Sequence, residues 1–480
     1  MKQETIPFHI FNTLVRAVEE FKPLRAGEVT LYSCGPTVYL RQHLGNMRAY
    51  LFVDTLKRAL EYNGYEVRHV MNITDVGHMT SDEDAGEDKV EKTARAQGKS
   101  PKDVADAYFK DFRDDLELLN VELPEFCRAT ENIRAMVDLI KKILANGYAY
   151  ETPSGVYFDV AKWRGPSGVG RLSRQSLDQQ HAGQRLEHSP DKRSPHDFAL
   201  WVLNQPGHLM QWDSPWGRGY PGWHIECSAM SMKCLNEETL DIHTGGLDHV
   251  PIHHENEIAQ SESATGKPFV RYFVHNAFLL GMEGAKISKS AGKFPLLEDL
   301  IAEGIDPLAF RLFCFGAKYR SELAFSVEAV RAAQKNLDYF SEFAYNLPYE
   351  IAEGGHEAQW TPDYERRFNE AINDDLNTPR ALAIALELIS EAYRRGDKNI
   401  WRTLLKVDSV LGLRLEEKYI FAASAIPPDQ VRRMCEERDV ARARKDFVRA
   451  DQLRDDIIAR GYDLKDMPNG TRLSPRRRLE

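Results

Sequence analysis

The chain has 480 residues, 42% of them apolar, and a net charge of −10. That length exceeds one ordinary core and predicts two to four domains; no run of 18 apolar residues predicts a membrane span, and MKQETIPFHIF lacks the apolar core of a secretory signal. The acidic balance argues mildly against a nucleic-acid partner, but it is an average: residues 427–480 carry 14 Lys/Arg against 11 Asp/Glu and include Ser474-Pro475-Arg476-Arg477-Arg478.

Glu28 to Ser33 (EVTLYS) alternates as a strand does, and the turn Cys34-Gly35-Pro36 follows it. Met47 to Asn63 places Phe52, Leu56 and Leu60 at i, i+4 and i+8 before Gly64, which predicts a helix and its stop. Tyr65 to Thr74 (YEVRHVMNIT) is the next strand. Strand, turn, helix, strand is the unit of a doubly wound parallel sheet, so the fold class is α/β and Rossmann-like, with ligands at the carboxyl ends of the strands. Cys34–Asn46 and Thr74-Asp75 lie at such ends. Thr80–Asp88 reads as an acidic loop, Ser100–Tyr150 as helical, and Thr152–Gln211, rich in Gly, Pro, Ser and His, as an irregular insertion. Val327–Leu413 carries long amphipathic patterns that suggest a helical bundle, Ala422–Pro428 a linker, and Asp429–Arg460 one more charged helical stretch. The six cysteines (Cys34, Cys127, Cys227, Cys234, Cys314 and Cys435) lack the regular spacing of a disulfide scaffold, which points to a reducing, cytoplasmic setting with individual thiols as ligands or nucleophiles.

Three stretches carry chemistry. In His253-His254-Glu255-Asn256-Glu257 a His and a Glu at i, i+4 share one helix face; with Cys34 and with Cys227 of GWHIECSAM they offer two thiolates, an imidazole and a carboxylate, a tetrahedral zinc set. Spacing leaves open whether His253 or His254 points inward, and a hydrogen-bonded core histidine is the plainer alternative. His43-Leu44-Gly45-Asn46 sits at a strand-to-helix turn, where a glycine admits close backbone approach and the helix start suits phosphate. Gly284-Ala285-Lys286-Ile287-Ser288-Lys289-Ser290 places two lysines three residues apart, able to follow a moving pyrophosphate.

Taken together, HLGN and KISKS resemble the paired HIGH and KMSKS signatures of class I aminoacyl-tRNA synthetases. With CGPTVY, GWHIECSAM, GGLDHVPIHHENEIAQ, SRQSLDQQHAGQR, DKRSPHDFALW and ARARKDFVRADQLRDDI, the chain resembles the cysteinyl-tRNA synthetase family over nearly its whole length. The resemblance implies activation of L-cysteine with ATP to an adenylate, then transfer to the 3′ end of tRNA(Cys). It implies one Zn2+ on Cys34, Cys227, His253 and Glu257, and Mg2+ with ATP. It implies His43, Gly45, Asn46, Asp248, Lys286 and Lys289 around ATP, with His43, Asn46, Lys286 and Lys289 catalytic. It places Thr74 and Trp223 in the amino-acid pocket, and Phe447 and Asp451 on tRNA. Phe447 has core packing beside Leu453 as its alternative. The division implied is 1–120 and 216–265 as halves of the catalytic domain, 121–215 as an inserted connective domain, 266–325 as a stem-contact region with the KISKS loop, 326–422 as a helical bundle and 428–480 as a small anticodon-binding domain. A monomer with no membrane partner is expected. Asn46 stands where the signature has His, and Phe447 where a tryptophan is common. Thiol selection by zinc makes an editing site unnecessary, since an apolar pocket separates near-isosteres only ~10–200-fold. The rivals are a ligase of the same family that joins cysteine to a small amine, a zinc metallohydrolase, and a zinc-stabilised RNA-binding protein. The basic tail and ARARKDFVRAD favour tRNA over the first; KISKS and HLGN go unexplained under the second, which would also keep an open metal position in place of two thiolates; ATP binding separates the last two from a synthetase.

Overall fold

The computed structural model describes residues 6–76, 87–165, 170–176, 179, 191–203, 205, 207–281, 295–350, 357–424, 429–467 and 470–475. The chain forms two units: residues 1–333 with 369–382, and residues 334–368 with 383–480.

The first unit is built on five parallel strands in the order Val270–Asn276, Leu240–Gly246, Glu28–Ser33, Glu66–Ile73, Glu125–Arg128. The chain starts in the middle, winds to one edge, then returns to the other side. Glu28–Ser33 and Leu240–Gly246 are therefore neighbours at the reversal point, where the loops leaving their carboxyl ends diverge and open a crevice. Pairing is in register from Ile242 against Leu31 to Thr244 against Ser33. In Glu28–Ser33 and Glu66–Ile73 the carboxyl-terminal half is the buried one: the last five residues of Glu66–Ile73 are all inside. Helix Leu44–Tyr62 covers the sheet, and Ile133–Ala145, Trp223–Leu235 and His253–Thr265 share a core with Tyr32 and Val70. Glu125–Arg128, inside the stretch 121–215 expected to be an insertion, is the edge strand of this sheet.

The stretch read as irregular contains order. Ala149–Thr152, Gly155–Phe158, Phe198–Leu203 and Gly219–Pro221 make a four-stranded antiparallel sheet. FALWVL is buried at all six positions, and Phe158 stacks on Phe198 at 5.0 Å. Cys127 and Cys234, 107 residues apart in sequence, lie side by side with 7.2 Å between their Cα atoms, so the topology of the sheet brings two of the scattered cysteines together.

In the second unit the helices are Val327–Glu350 (from residue 334), Thr361–Asn373 (to residue 368), Thr378–Arg395 (from residue 383), Trp401–Leu411 and Leu415–Ser424. The Asp408 carboxylate accepts from the amides of Leu413 and Leu415 at 2.7 and 2.8 Å, which closes the turn between the last two. The stretch read as one charged helix is two, Asp429–Ala443 and Phe447–Ala459, broken at Lys445 with φ +60°. They pack around Val431, Cys435 and Ile457 with a hairpin, Tyr462–Met467 against Gly470–Pro475, for which the sequence reading gives no strands. Arg438 ties the hairpin to its helix through Asp466 at 2.8 Å. Among the described residues no helix is long and apolar enough to cross a membrane.

Candidate functional site

Four donors converge in the crevice. Cys34 follows the strand Glu28–Ser33 and its amide donates to Thr244 of the neighbouring strand at 3.1 Å. Cys227 is on the first turns of Trp223–Leu235, and His253 and Glu257 lie one turn apart at the start of His253–Thr265. One ligand atom from each of Cys34, Cys227, His253 and Glu257 lies within 4.8 Å of all the others, and so does one from each of Cys34, His243, His254 and Glu257. The two groups share Cys34 and Glu257 and form one centre. Glu257 is fully buried between two imidazoles, with His253 Nε2 at 2.8 Å and His243 Nε2 at 2.7 Å. His253 Nδ1 meets His224 Nδ1 at 2.9 Å, and His254 bridges Cys34 Sγ at 3.3 Å and His275 at 2.7 Å.

The electrostatics concentrate negative charge here. A hydrogen bond from Cys34 lowers the Cys227 thiol to about 6 against the pull of burial, with His253 helping. Burial and the Cys227 charge in turn push Cys34 well above the ordinary thiol range. Burial opposes ionisation of Glu257, but His243 and His253 prevail and hold it well below the usual carboxylate range. Burial also opposes a charge on His253, yet Glu257 and Cys227 raise it to about 10. Burial and the neighbouring rings leave His254 and His275 neutral. Two sulfurs, one imidazole nitrogen and one carboxylate oxygen in a dry site fit a tetrahedral zinc ion, which would displace the His253 proton on binding. The pattern HHENE held both candidate histidines. His224, His243 and His275 were not singled out, because nothing in local spacing brings strand and helix histidines from three segments together.

The phosphate side is built on the next turn. His43 caps helix Leu44–Tyr62: its Nδ1 accepts from the Asn46 amide at 3.3 Å. In the neutral ring that bond leaves the proton on Nε2, a donor. A Cβ at Gly45 would meet the His43 ring at 2.9 and 3.0 Å, so the glycine is what lets the ring fold back onto the helix start. Asn46 lies in the first turn, beside that cap. Lys286 and Lys289 lie outside the described residues. The flanks of their segment do not: the Leu44 amide donates to Pro295 at 3.0 Å, and a Gly45 Cβ would approach Leu279 at 3.9 Å. Asp248 is in the turn Leu247–His249 at the carboxyl end of Leu240–Gly246, exposed and folded over Gly246.

Trp223 opens its helix and lays its ring over His253 at 4.7 Å between centroids. Thr74, buried, continues the strand Glu66–Ile73; its amide donates to Pro36 at 3.0 Å, so the turn after Cys34 runs along it. Glu255, between the two candidate ligands, accepts from the amides of Arg171, Leu172 and Ser173 at 2.6, 2.9 and 2.9 Å and so holds their turn against the site's helix. Phe447 and Asp451 belong to the second unit, one turn apart on helix Phe447–Ala459. Phe447 is 61% exposed while Leu453 is buried, which excludes core packing for Phe447.

Residues 20–335 match the family model described as the class I (C) catalytic domain of tRNA synthetases, and 367–416 match the DALR domain. A curated protein of Treponema denticola named cysteine--tRNA ligase is 42% identical across 96% of this chain and 98% of its own. One from Burkholderia lata, named cysteine--tRNA ligase 1, is 43% identical across 98% and 97%. Among solved structures, methionyl-tRNA synthetase of Mycobacterium tuberculosis with methionyl-adenylate superposes with a TM-score of 0.56 at 14% identity, over 82% of this chain and 91% of that one, a likeness of fold.

Proposed function

The chain belongs to the cysteine--tRNA ligases, class I aminoacyl-tRNA synthetases, and from that premise we propose how its residues divide the work of activating L-cysteine with ATP and passing it to tRNA(Cys). The observation that carries the reading is the convergence of Cys34, Cys227, His253 and Glu257 beneath the Trp223 ring, at the reversal point of the sheet.

In this reading those four residues hold one Zn2+, and Trp223 and Thr74 wall the pocket above them. When bound, the zinc supplies a Lewis acid that keeps a thiol as thiolate and leaves a serine hydroxyl unbound. Anchoring the thiol there would direct the substrate carboxylate toward the start of helix Leu44–Tyr62. His43, with its proton on Nε2, donates to the α-phosphate as charge develops on it. Gly45 admits the phosphate to the free amides of the helix start, and Asn46 adds one neutral hydrogen bond there. Lys286 and Lys289 take the leaving pyrophosphate. That assignment draws support from the two flanks of their segment, which abut Leu44 and Gly45. Asp248 accepts from the ATP ribose, and Mg2+ accompanies the phosphates. No covalent enzyme intermediate is required; the work is positioning and charge stabilisation. Phe447 and Asp451 meet the tRNA, the exposed ring stacking on a base. The acceptor is tRNA in preference to a small amine, because the likeness to curated relatives runs through the carboxyl-terminal helices and hairpin. We assign the protein to the cytoplasm as a monomer, with the catalytic halves, connective insertion, stem-contact region, bundle and anticodon-binding domain in the order given above.

The test is cysteine-dependent ATP–pyrophosphate exchange without tRNA, before and after zinc chelation. Exchange with cysteine, none with serine, and loss on chelation with recovery on adding zinc are expected. A folded, zinc-loaded protein that shows no exchange, or one that exchanges equally well when stripped, would remove the reading.

A further inference from the structure

Cys127 and Cys234 take no part in the metal centre, yet the fold sets them side by side. Cys127 is in the edge strand Glu125–Arg128 and is 4% exposed. Cys234 is in the last turn of helix Trp223–Leu235 and is partly exposed. Their Cα atoms are 7.2 Å apart. Bridged cysteines ordinarily stand about 4.4–6.8 Å apart at Cα, so a bond between these two requires the strand and the helix end to move toward each other. A bond that must be drawn closed in this way is readily reduced, and in a reducing setting it forms only while an oxidant is present.

The side chains around the pair suit thiol chemistry. An ammonium can only donate, so Lys233 takes Asn132 Oδ1 and turns Asn132 Nδ2 toward the Cys127 sulfur at 3.3 Å and the Arg128 carbonyl at 2.6 Å. Arg68 donates to the Leu235 carbonyl at 3.1 Å and to that of Cys234. It thereby offsets the negative end of the helix dipole beside Cys234; Glu125, at 3.5 Å from Arg68, is the acid that faces it. An amide donor on one sulfur and cations beside the other stabilise negative sulfur, the form that attacks a peroxide. The same helix joins the pair to the site: Cys227 lies two turns back from Cys234, and Trp223 opens the helix.

We propose that Cys127 and Cys234 are an oxidative modification site, at which hydrogen peroxide converts two thiols to a disulfide whose closure shifts helix Trp223–Leu235 and slows activation. The more exposed Cys234 sulfur attacks the peroxide; the O–O bond breaks, one water leaves and Cys234 becomes a sulfenic acid. Cys127 attacks that sulfur, the S–O bond breaks and a second water leaves. Two thiols and one peroxide give one disulfide and two waters, with two electrons passing from sulfur to oxygen. The effect on activation rests on the roles proposed above for Cys227 and Trp223.

Zinc-loaded wild type, Cys234→Ser and Cys127→Ala, each fully reduced, would be treated with hydrogen peroxide and then with dithiothreitol. Peptide mapping by mass spectrometry reads the bond, cysteine-dependent exchange reads the site, and metal content reads the zinc. Wild type is expected to gain a Cys127–Cys234 bond, to lose exchange about 10- to 100-fold, to keep its zinc and to recover on reduction. Both variants should start near the wild-type rate and escape the reversible loss. Absence of the bond from the mapped peptides overturns the proposal, and so does a bond that leaves exchange unchanged. Equal inactivation of Cys234→Ser with loss of zinc also overturns it, because the damage then falls on Cys34 and Cys227. Should Cys127→Ala not fold, Cys234→Ser decides alone. A reduced wild type without exchange removes the functional reading instead, and the mapped bond then decides whether the modification site stands.

Discussion

At the scale of single residues, the two thiols facing each other are not equivalent, and the difference is measurable. Cys227 is held at about 6 chiefly because Cys34 donates to it. In zinc-stripped protein the thiolate absorbance near 240 nm should therefore rise through pH 6, and Cys34→Ser should move that step toward the ordinary thiol value of about 8.5. The sign for stability follows. A folded-state value below the unfolded one adds stability above about pH 8.5, and that gain is lost as pH falls through 6. Acid sensitivity across that window should be weaker in Cys34→Ser, as denaturant midpoints at several pH values would show. Gly45 is the second such position. In Gly45→Ala the new methyl would sit 2.9 Å from His43 Cε1, so the ring must leave its cap. The cap is worth about 1 kcal/mol. The displaced donor should lower the exchange rate by about a hundredfold, with cysteine binding unchanged by calorimetry.

Helix Leu44–Tyr62 shows the same logic at the scale of an element, because what holds it also aims His43. Its Asp54 is buried with Arg58 at 2.9 Å and with Arg311 of helix Pro307–Cys314 at 2.5 Å. The Arg311 guanidinium also donates to the Leu119 and Asn120 carbonyls. Burial works against the Asp54 charge, but Arg311 and Arg58 keep its value below the usual range. Asp54→Asn leaves Arg311 buried without a counter-charge and should cost ~3–5 kcal/mol in urea unfolding at neutral pH. The wild-type advantage should shrink on acidification below about pH 4, where the unfolded carboxylate protonates. This helix and its flanking strands were legible from sequence, since their periodicity is local and their stop is a glycine. Other elements were not. FALWVL is an unbroken apolar run, the mark of a fully buried strand, but the Gly, Pro and Ser around it dominate the composition of its region. The closing hairpin was hidden by its charged residues, which break the apolar alternation of a strand. The break at Lys445 has no glycine to announce it. Cys34, Cys227, His253 and Glu257 could be gathered by resemblance, whereas the outer ring of His224, His243 and His275 exists only once five strands are in order.

On the scale of the whole molecule, Phe447 and the metal centre fall in different units, so the proposed tRNA contact can be tested apart from activation. The small core of Val431, Cys435 and Ile457 leaves Phe447 outside it. Phe447→Ala should change stability by less than about 0.5 kcal/mol. Losing a base-stacking platform worth ~1–3 kcal/mol should raise the KM for tRNA about 5- to 150-fold, with cysteine-dependent exchange intact. An equal loss in both assays would mean that the ring does not act on tRNA. The sheet of the first unit has a different kind of consequence, one for biosynthesis. Thr30 and Asp241 bond across the central pair of strands although 211 residues separate them. At ~5–20 residues per second a ribosome needs roughly 10–40 s to deliver the second after the first. Throughout that interval the strand Glu28–Ser33 has one of its two final neighbours at most, and Cys34 has no Cys227, His253 or Glu257 beside it. A nascent chain of this protein should therefore carry an open sheet edge and a reactive thiol side by side, which makes it a client for chaperones and a target for thiol oxidation until Glu257 emerges.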